Sequence, residues 1–370
     1  MLATTLDLRS KYQLPRSIPQ LDRLRGLAIL LVLLNHSDHI APRILDGFFA
    51  QGWIGVDIFF VISGFLITGI LWDSRGNERY FRRFYARRIL RIWPVYLLIL
   101  FLAFCIIPLW RWSSGGLALN IPKEPIGIWA YLLFIQNLFG GLLFLSPLLG
   151  VTWSLAIEEQ FYLVWPVVMR FASRRVALPC LLAGFLAAPF IRIWAIHRGI
   201  SQVAIYYHPL THYDGLICGA FVALWLRSAM PMRKTLLLAG IALLLSGLTL
   251  DVAIQPLSVL EFTAVALFST GLLLVALVSE NAGRLLHRIF FMNKTLAFFG
   301  FISYGLYLYH FSILRFAMSD RLAAKFDRWH HPSLTGGIMA VCGFGLSILI
   351  AWISRVTLER AALSKKGIFG

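Results

Sequence analysis

The chain has 370 residues, of which 59% are hydrophobic and only 14% charged. A soluble domain is nearer half apolar and about a quarter charged. A water-soluble globular enzyme is therefore excluded, and so is a disordered chain. The net charge of +17 rests on 34 Lys and Arg against 17 Asp and Glu. In so apolar a chain this excess reads as basic loops that orient membrane helices, not as a nucleic-acid surface. Cys105, Cys180, Cys218 and Cys342 stand alone inside apolar runs. No C-x-x-C occurs, so no zinc or redox spacing is present. Residues 1–20 are polar and basic and lack the apolar core of a cleaved signal peptide. The apolar runs are too long and too continuous for a β-barrel.

A membrane-crossing helix needs about 20 mostly apolar residues. In chain order, spans are predicted near 24–41, 53–72, 92–110, 152–170, 176–195, 213–229, 235–251, 258–279, 296–316 and 334–355. A further apolar stretch, 126–145, is shortened by Gly127, Gly140 and Gly141 and preceded by Pro122 and Pro125. Charge places the segments. The N-terminal tail carries Arg9, Lys11, Arg16 and Arg23, and the 73–91 loop carries seven arginines. Later basic clusters fall at Arg170/Arg174/Arg175, Arg227/Arg233/Lys234, Arg284/Arg288/Lys294 and Arg355/Arg360/Lys365/Lys366. All lie on the cytoplasmic side only if 126–145 does not cross fully. The expected fold is all-α: a polytopic membrane bundle of about ten helices, with 126–145 re-entrant or against the outer face. Both termini are expected inside. The exception is loop 317–333, with Arg321, Lys325 and Arg328 outside. No period of 20–50 residues and no inverted two-half symmetry is found. A single membrane domain over 1–370 is expected, with 1–20 a cytoplasmic tail and no appended domain.

Ionisable groups inside spans are expensive and need a reason. In the first span Arg25 and His36 are eleven residues apart, which is within about 20° of three helical turns. They share a face, with Asp22 one turn earlier. Arg25 also suits a snorkelling anchor at the interface. His36 suits a general base or a polar pathway. Asp57 lies near the outer end of the second span, with Gly64 on its face two turns on. Arg88 and Arg91 are one turn apart at the mouth of the third span, where paired guanidinium forks suit phosphate. Ser154, Glu158 and Tyr162 share a face in W-S-L-A-I-E-E-Q-F-Y, with Glu159 beside Glu158. Ser303, Tyr307 and His310 form a further face at i, i+4 and i+7. For His310 an interhelical hydrogen bond competes with a functional role. The G-L-I-C-G run at 215–219 reads as close helix packing. No Walker loop, H-E-x-x-H or G-x-S-x-G occurs, and no metal set is read.

Several of these motifs occur in one order: Arg25 with ten residues before His36, F-F-V-I-S-G-F at 59–65, R-R-I-L-R-I-W-P at 87–94, W-S-L-A-I-E-E-Q-F-Y at 153–162 and I-S-Y-G-L-Y-L-Y-H at 302–310. Together they resemble the acyltransferase 3 family, integral-membrane O-acyltransferases of bacterial surface glycans. The likeness covers about 22–310. In the final span Leu358-Glu359-Arg360 is followed by Ala361, where many relatives have proline. The resemblance implies transfer of an acyl group, usually acetyl from acetyl-CoA, to a sugar hydroxyl in the bacterial cytoplasmic membrane. It implies no permanently bound cofactor. His36 matches the family's essential histidine, Arg25 its paired arginine, and Arg88 and Arg91 its cytoplasmic R-x-x-R pair. Some relatives carry an extracytoplasmic esterase-like domain.

A mechanism consistent with these residues docks the phosphates of acyl-CoA on Arg88, Arg91 and Arg25. His36 acts as base on a hydroxyl of a glycan or lipid-linked sugar. Glu158 or Asp57 holds the imidazole. An acyl-histidine or acyl-serine intermediate stays open. The rival class is a secondary transporter or glycan exporter, because intramembrane carboxylates and histidines also mark proton relays.

Overall fold

The computed structural model describes residues 18–36, 50–109, 123–227, 233–254, 258–279, 283–317 and 332–365. The expectations for the tail before residue 18, the outer end of the first span and loop 317–333 lie outside the described residues. Every regular element among the described residues is helical. The chain divides into two compact units, one of residues 1–28, 54–80 and 160–300, the other of residues 29–53, 81–159 and 301–370.

Among the described residues fifteen α-helices carry the fold. Helix α1 spans Pro19–Asn35 and α2 Ile54–Ser74; α3 spans Tyr80–Phe101 and continues as a π-helical turn over Leu102–Ile106. Two short helices follow, α4 (Ile128–Leu132) and α5 (Gly140–Phe144), then α6 (Thr152–Phe171), α7 (Arg174–His197) and α8 (Gln202–Tyr207). Helices α9 (Asp214–Leu226), α10 (Arg233–Ile254), α11 (Ser258–Val278) and α12 (Arg284–His287) come next. Helix α13 is Lys294–Ala317 and α14 is Pro332–Ser354, which runs through a π turn at Arg355–Glu359 into α15 (Arg360–Ser364).

Six of the helical stretches are long and apolar enough to cross a membrane, and Asp214–Leu226 and Lys234–Gly247 are shorter apolar helices. Two of the ten expected spans are outside both groups for physical reasons. Helix α1 is 17 residues long and holds Asp22, Arg23 and Arg25. Helix α6 is interrupted by Glu158, Glu159 and Gln160. Two boundaries also move. The arginines expected in the 73–91 loop lie largely on α3, which begins at Tyr80. The Asn77 side chain accepts from the Arg79 backbone N–H at 2.8 Å just before it, the bond of a helix-start residue, and arginine is itself a good helix former. At the other end, the last apolar helical stretch continues to Ser364, well past 355.

Stretch 126–145 forms no helix longer than five residues. Phe134 breaks it, adopting φ 53, a region that bulky side chains enter only when their surroundings hold them there. Its ring stacks on Tyr96 at 4.7 Å. Tyr96 donates to the Tyr131 carbonyl (2.9 Å), and Gln136 donates to the Thr152 carbonyl (3.0 Å), so α3 and the start of α6 fix the broken segment. Trp129, Leu133, Leu138, Phe144 and Leu145 point outward from it.

In the first unit, α2 lies along α9 and α10 along α11. The α2–α9 contact is backbone to backbone. A Cβ added at Gly219 would run into the Val61 carbonyl oxygen, and one at Gly64 into that of Leu216. Among the described residues the largest fully buried side chain is Arg192 of α7. Its five N–H groups are all answered: Nε by the Val259 carbonyl, Nη1 by Asp214 and the Thr211 carbonyl, Nη2 by Asp214 and Thr263. Arg227 closes the other end of α9 with a two-pronged pair to Asp73, 2.7 Å on both arms.

Gly219→Ala is expected to cost about 1–3 kcal/mol by forcing α2 and α9 apart. Gly76→Ala, at a position with nothing within 4 Å, leaves stability unchanged. Thermal unfolding of the detergent-solubilised variants measures the difference.

Candidate active site

Helix α1 ends on His36. Its Nδ1 lies 2.9 Å from the Val32 carbonyl oxygen, one turn back on its own helix. The same Nδ1 is 3.4 Å from Nε2 of His310 on α13. The two rings meet edge to face with centroids 4.9 Å apart, and Phe311 lies against His36 at 5.4 Å. His310 is fully buried, and its Nδ1 is 3.0 Å from the Leu306 carbonyl oxygen. The Tyr307 ring is 5.9 Å away. Tyr307 donates its hydroxyl to the Val151 carbonyl (2.9 Å), and the Ser154 hydroxyl lies 2.6 Å from it. Residues expected on two separate faces, Ser154 of α6 and Tyr307 and His310 of α13, therefore meet in one polar cluster with His36. Ser303 is buried on the same helix as His310.

A second group in this unit contains Arg88, Arg91, Glu158, Glu159, Tyr304 and Glu359. Arg82 and Arg87 are exposed, whereas Arg88 and Arg91 are half-buried. Glu159 is within electrostatic reach of Glu158 and Arg88, and Tyr304 of Glu159, Glu359 and Arg91. Tyr304 donates to the Ile92 carbonyl at 2.6 Å. Glu359 accepts from Arg355 at 3.3 Å. One carboxylate oxygen of Glu159 and one of Glu359 are buried without a hydrogen-bond partner.

The other expected residues lie in the first unit. Arg25 is half-buried and pairs with Asp22 at 3.2 Å. Tyr162 is buried, one unit apart from Ser154 and Glu158 on the same helix. Asp57 is fully buried, and the imidazole it holds is His212, at 3.2 Å from Nε2. His212 stacks on Phe262 at 4.2 Å, and its Nδ1 is 2.8 Å from the Tyr206 carbonyl oxygen. Nδ1 of His36 faces the Val32 carbonyl oxygen and Nε2 of His310, and Asp57, one of the two carboxylates expected to hold that ring, meets His212.

Sequence reasoning passed over Arg192, His212 and Glu124. An arginine in the middle of the apolar run F-I-R-I-W was a readable signal for the first. Nothing in the spacing ties His212 to Asp57, 155 positions away. Glu124, just ahead of the broken segment, accepts from Ser146 (2.5 Å), the Leu148 backbone N–H (3.2 Å) and Tyr131 (3.4 Å). Burial pushes its carboxyl above the usual range, against the pull of these donors. Among the described residues no His, Cys, Asp or Glu trio is arranged to hold a metal ion.

With every described element helical and six stretches long and apolar enough to cross a membrane, the chain is an integral membrane protein. The chain belongs to the acyltransferase 3 family: the model of that family, described as an acyltransferase domain, matches residues 18–356. The peptidoglycan O-acetyltransferase OatA of Listeria monocytogenes is 29% identical over 322 residues, 80% of this chain and 49% of its own length. YrhL of Bacillus subtilis is 32% identical over 240 residues, 60% of this chain and 35% of its own. SACOL0978 of Staphylococcus aureus is 27% identical over 334 residues, 84% of this chain and 53% of its own. The chain thus spans about half the length, or less, of these curated relatives. No solved structure matches it.

Because its carboxyl holds its proton more tightly folded than unfolded, Glu124 favours the fold at low pH. That advantage is lost as pH rises above the unfolded carboxyl value and through the raised folded one. Melting temperatures of wild type and Glu124→Gln, measured from pH 4 upward, are expected to differ in slope over this window, with the wild type falling more steeply.

Proposed function

We propose that the chain is a membrane O-acyltransferase that moves an acyl group, probed first as acetyl, from cytoplasmic acyl-CoA to a hydroxyl of a glycan or glycolipid. Family membership and the O-acetyltransferase names of the relatives support the reaction class. The observation that carries the site is His36, a half-buried imidazole at the end of α1 whose Nδ1 faces two acceptors, the Val32 carbonyl and His310 Nε2. Such a ring presents Nε2 as its basic atom.

In this reading Nε2 of His36 takes the proton of the acceptor hydroxyl as its oxygen attacks the thioester carbonyl carbon. A C–O bond forms, the C–S bond breaks, and the proton passes from the imidazolium to the departing thiolate, giving ester and free CoA thiol. Arg88 and Arg91 meet the donor's phosphates in two-pronged hydrogen bonds. In the resting protein the carboxylates near them hold that place, so donor binding exchanges one set of anions for another. We place the protein in the bacterial cytoplasmic membrane with both termini inside, following its basic clusters.

His36→Ala is expected to lower turnover by about 10²–10⁴-fold, the usual contribution of a general base, while leaving folded protein in the membrane. Release of CoA thiol from radiolabelled acetyl-CoA reads it, and undiminished release would refute the assignment. A transporter would release no thiol. Replacing Arg88 and Arg91 together by alanine is expected to raise the KM for acyl-CoA about tenfold or more, from the loss of charge-assisted bonds. An unchanged KM would return both arginines to a purely topological role.

A further inference from the structure

We propose that His310 is a positioning residue that fixes the tautomer of His36, doing with a neutral ring what a carboxylate does in a hydrolytic triad. The inference rests on the reading of His36 as the base and adds to it the group that sets its proton.

The argument follows the protons. The Leu306 carbonyl can only accept, so the hydrogen of the neutral His310 ring sits on Nδ1, 3.0 Å from that oxygen. Nε2 of His310 is then an acceptor, and it faces His36 Nδ1 at 3.4 Å. His36 Nδ1 is also 2.9 Å from the Val32 carbonyl oxygen. Two acceptors at one ring nitrogen require that nitrogen to carry the hydrogen. A lone pair there would oppose both of them. The hydrogen of His36 is therefore on Nδ1 and its lone pair on Nε2, the atom that meets the hydroxyl.

The arrangement is anchored at both ends by backbone. Val32 and Leu306 are each one helical turn before the histidine they serve, so α1 and α13 set the orientation of both rings. Tyr307 walls His310 on its own helix, and its hydroxyl is committed to Val151 and Ser154. A carboxylate in the position of His310 would need its charge answered in a fully buried site. A neutral imidazole orders the partner ring without that demand. When His36 gains a second proton on Nε2, its Nδ1–H strengthens toward the His310 lone pair, so the same contact steadies the imidazolium.

The test compares His310→Leu, which has no acceptor, with His310→Gln, whose side-chain carbonyl can restore one. His310→Leu is expected to lower kcat by about 10²-fold with the KM for acetyl-CoA unchanged. His310→Gln is expected to recover to within tenfold of wild type. Nitrogen-15 chemical shifts of His36 in the wild-type protein, assigned by comparison with His36→Ala, should show the proton on Nδ1. With the Val32 carbonyl still in place, His310→Leu should raise the share of the Nε2-protonated tautomer without making it dominant. Loss of activity in both variants with no recovery in Gln, full activity in Leu, or a wild-type His36 protonated on Nε2 would each overturn the proposal. The wild-type spectrum decides the matter if the Leu variant does not fold. If His36→Ala itself retains turnover, the general-base reading fails instead, and the two failures are told apart.

Discussion

Hydrocarbon offers no hydrogen-bond partner, so a polar group carried into the membrane must be answered by protein. With 14% of its residues charged, this chain has few groups with which to answer. The described structure pairs several of them across helices. Arg192 exhausts all five donors on three elements. Arg227 takes both oxygens of Asp73. Asp57 meets His212 through one carboxylate oxygen, beside the rings of Tyr206 and Phe262. Each set ties helices that apolar packing alone would leave free to slide, since lipid tails solvate leucine as well as another helix does.

The same constraint separates what sequence could tell from what it could not. Helical periodicity and the density of apolar residues identify most of the helices, and the glycines of 126–145 correctly mark a segment that forms no long helix. The faces of α6 and α13 are also readable, because i, i+4 spacing fixes them. Partnership across helices is not. The line through Ser154 says nothing of Tyr307, 153 positions on. Asp57 looks like a free carboxylate awaiting an imidazole, and its spacing gives no hint that His212 fills that need. Boundaries are misread where charge continues a helix. Arg82, Arg83, Arg87 and Arg88 resemble a loop by composition, yet they form the opening turns of α3.

Family membership and geometry carry different parts of the functional reading. The first supplies the class of reaction, from relatives of which the chain matches about half or less. The second supplies an atom-level arrangement. In the His36 cluster, backbone carbonyls meet Nδ1 of both histidines and the two rings face one another. The carboxylates of the unit gather instead with Arg88 and Arg91. Under the proposed reading, acid–base chemistry and charge recognition fall to different residues of one unit, and each can be altered alone.

The π turn at Arg355–Glu359 has a geometric consequence. In an α-helix, positions five apart point about 140° away from one another. Closing i to i+5 stacks them instead. Ser354, before the turn, bonds Tyr309, and Glu359, its last residue, lies against Gly305, so both address α13. One extra residue in the winding therefore acts as a phase shift, carrying the protein-facing side of the helix from one register to the next. Without it Glu359 would turn away from Gly305 and α13. The irregular turn keeps an acid against α13 without changing a single side chain.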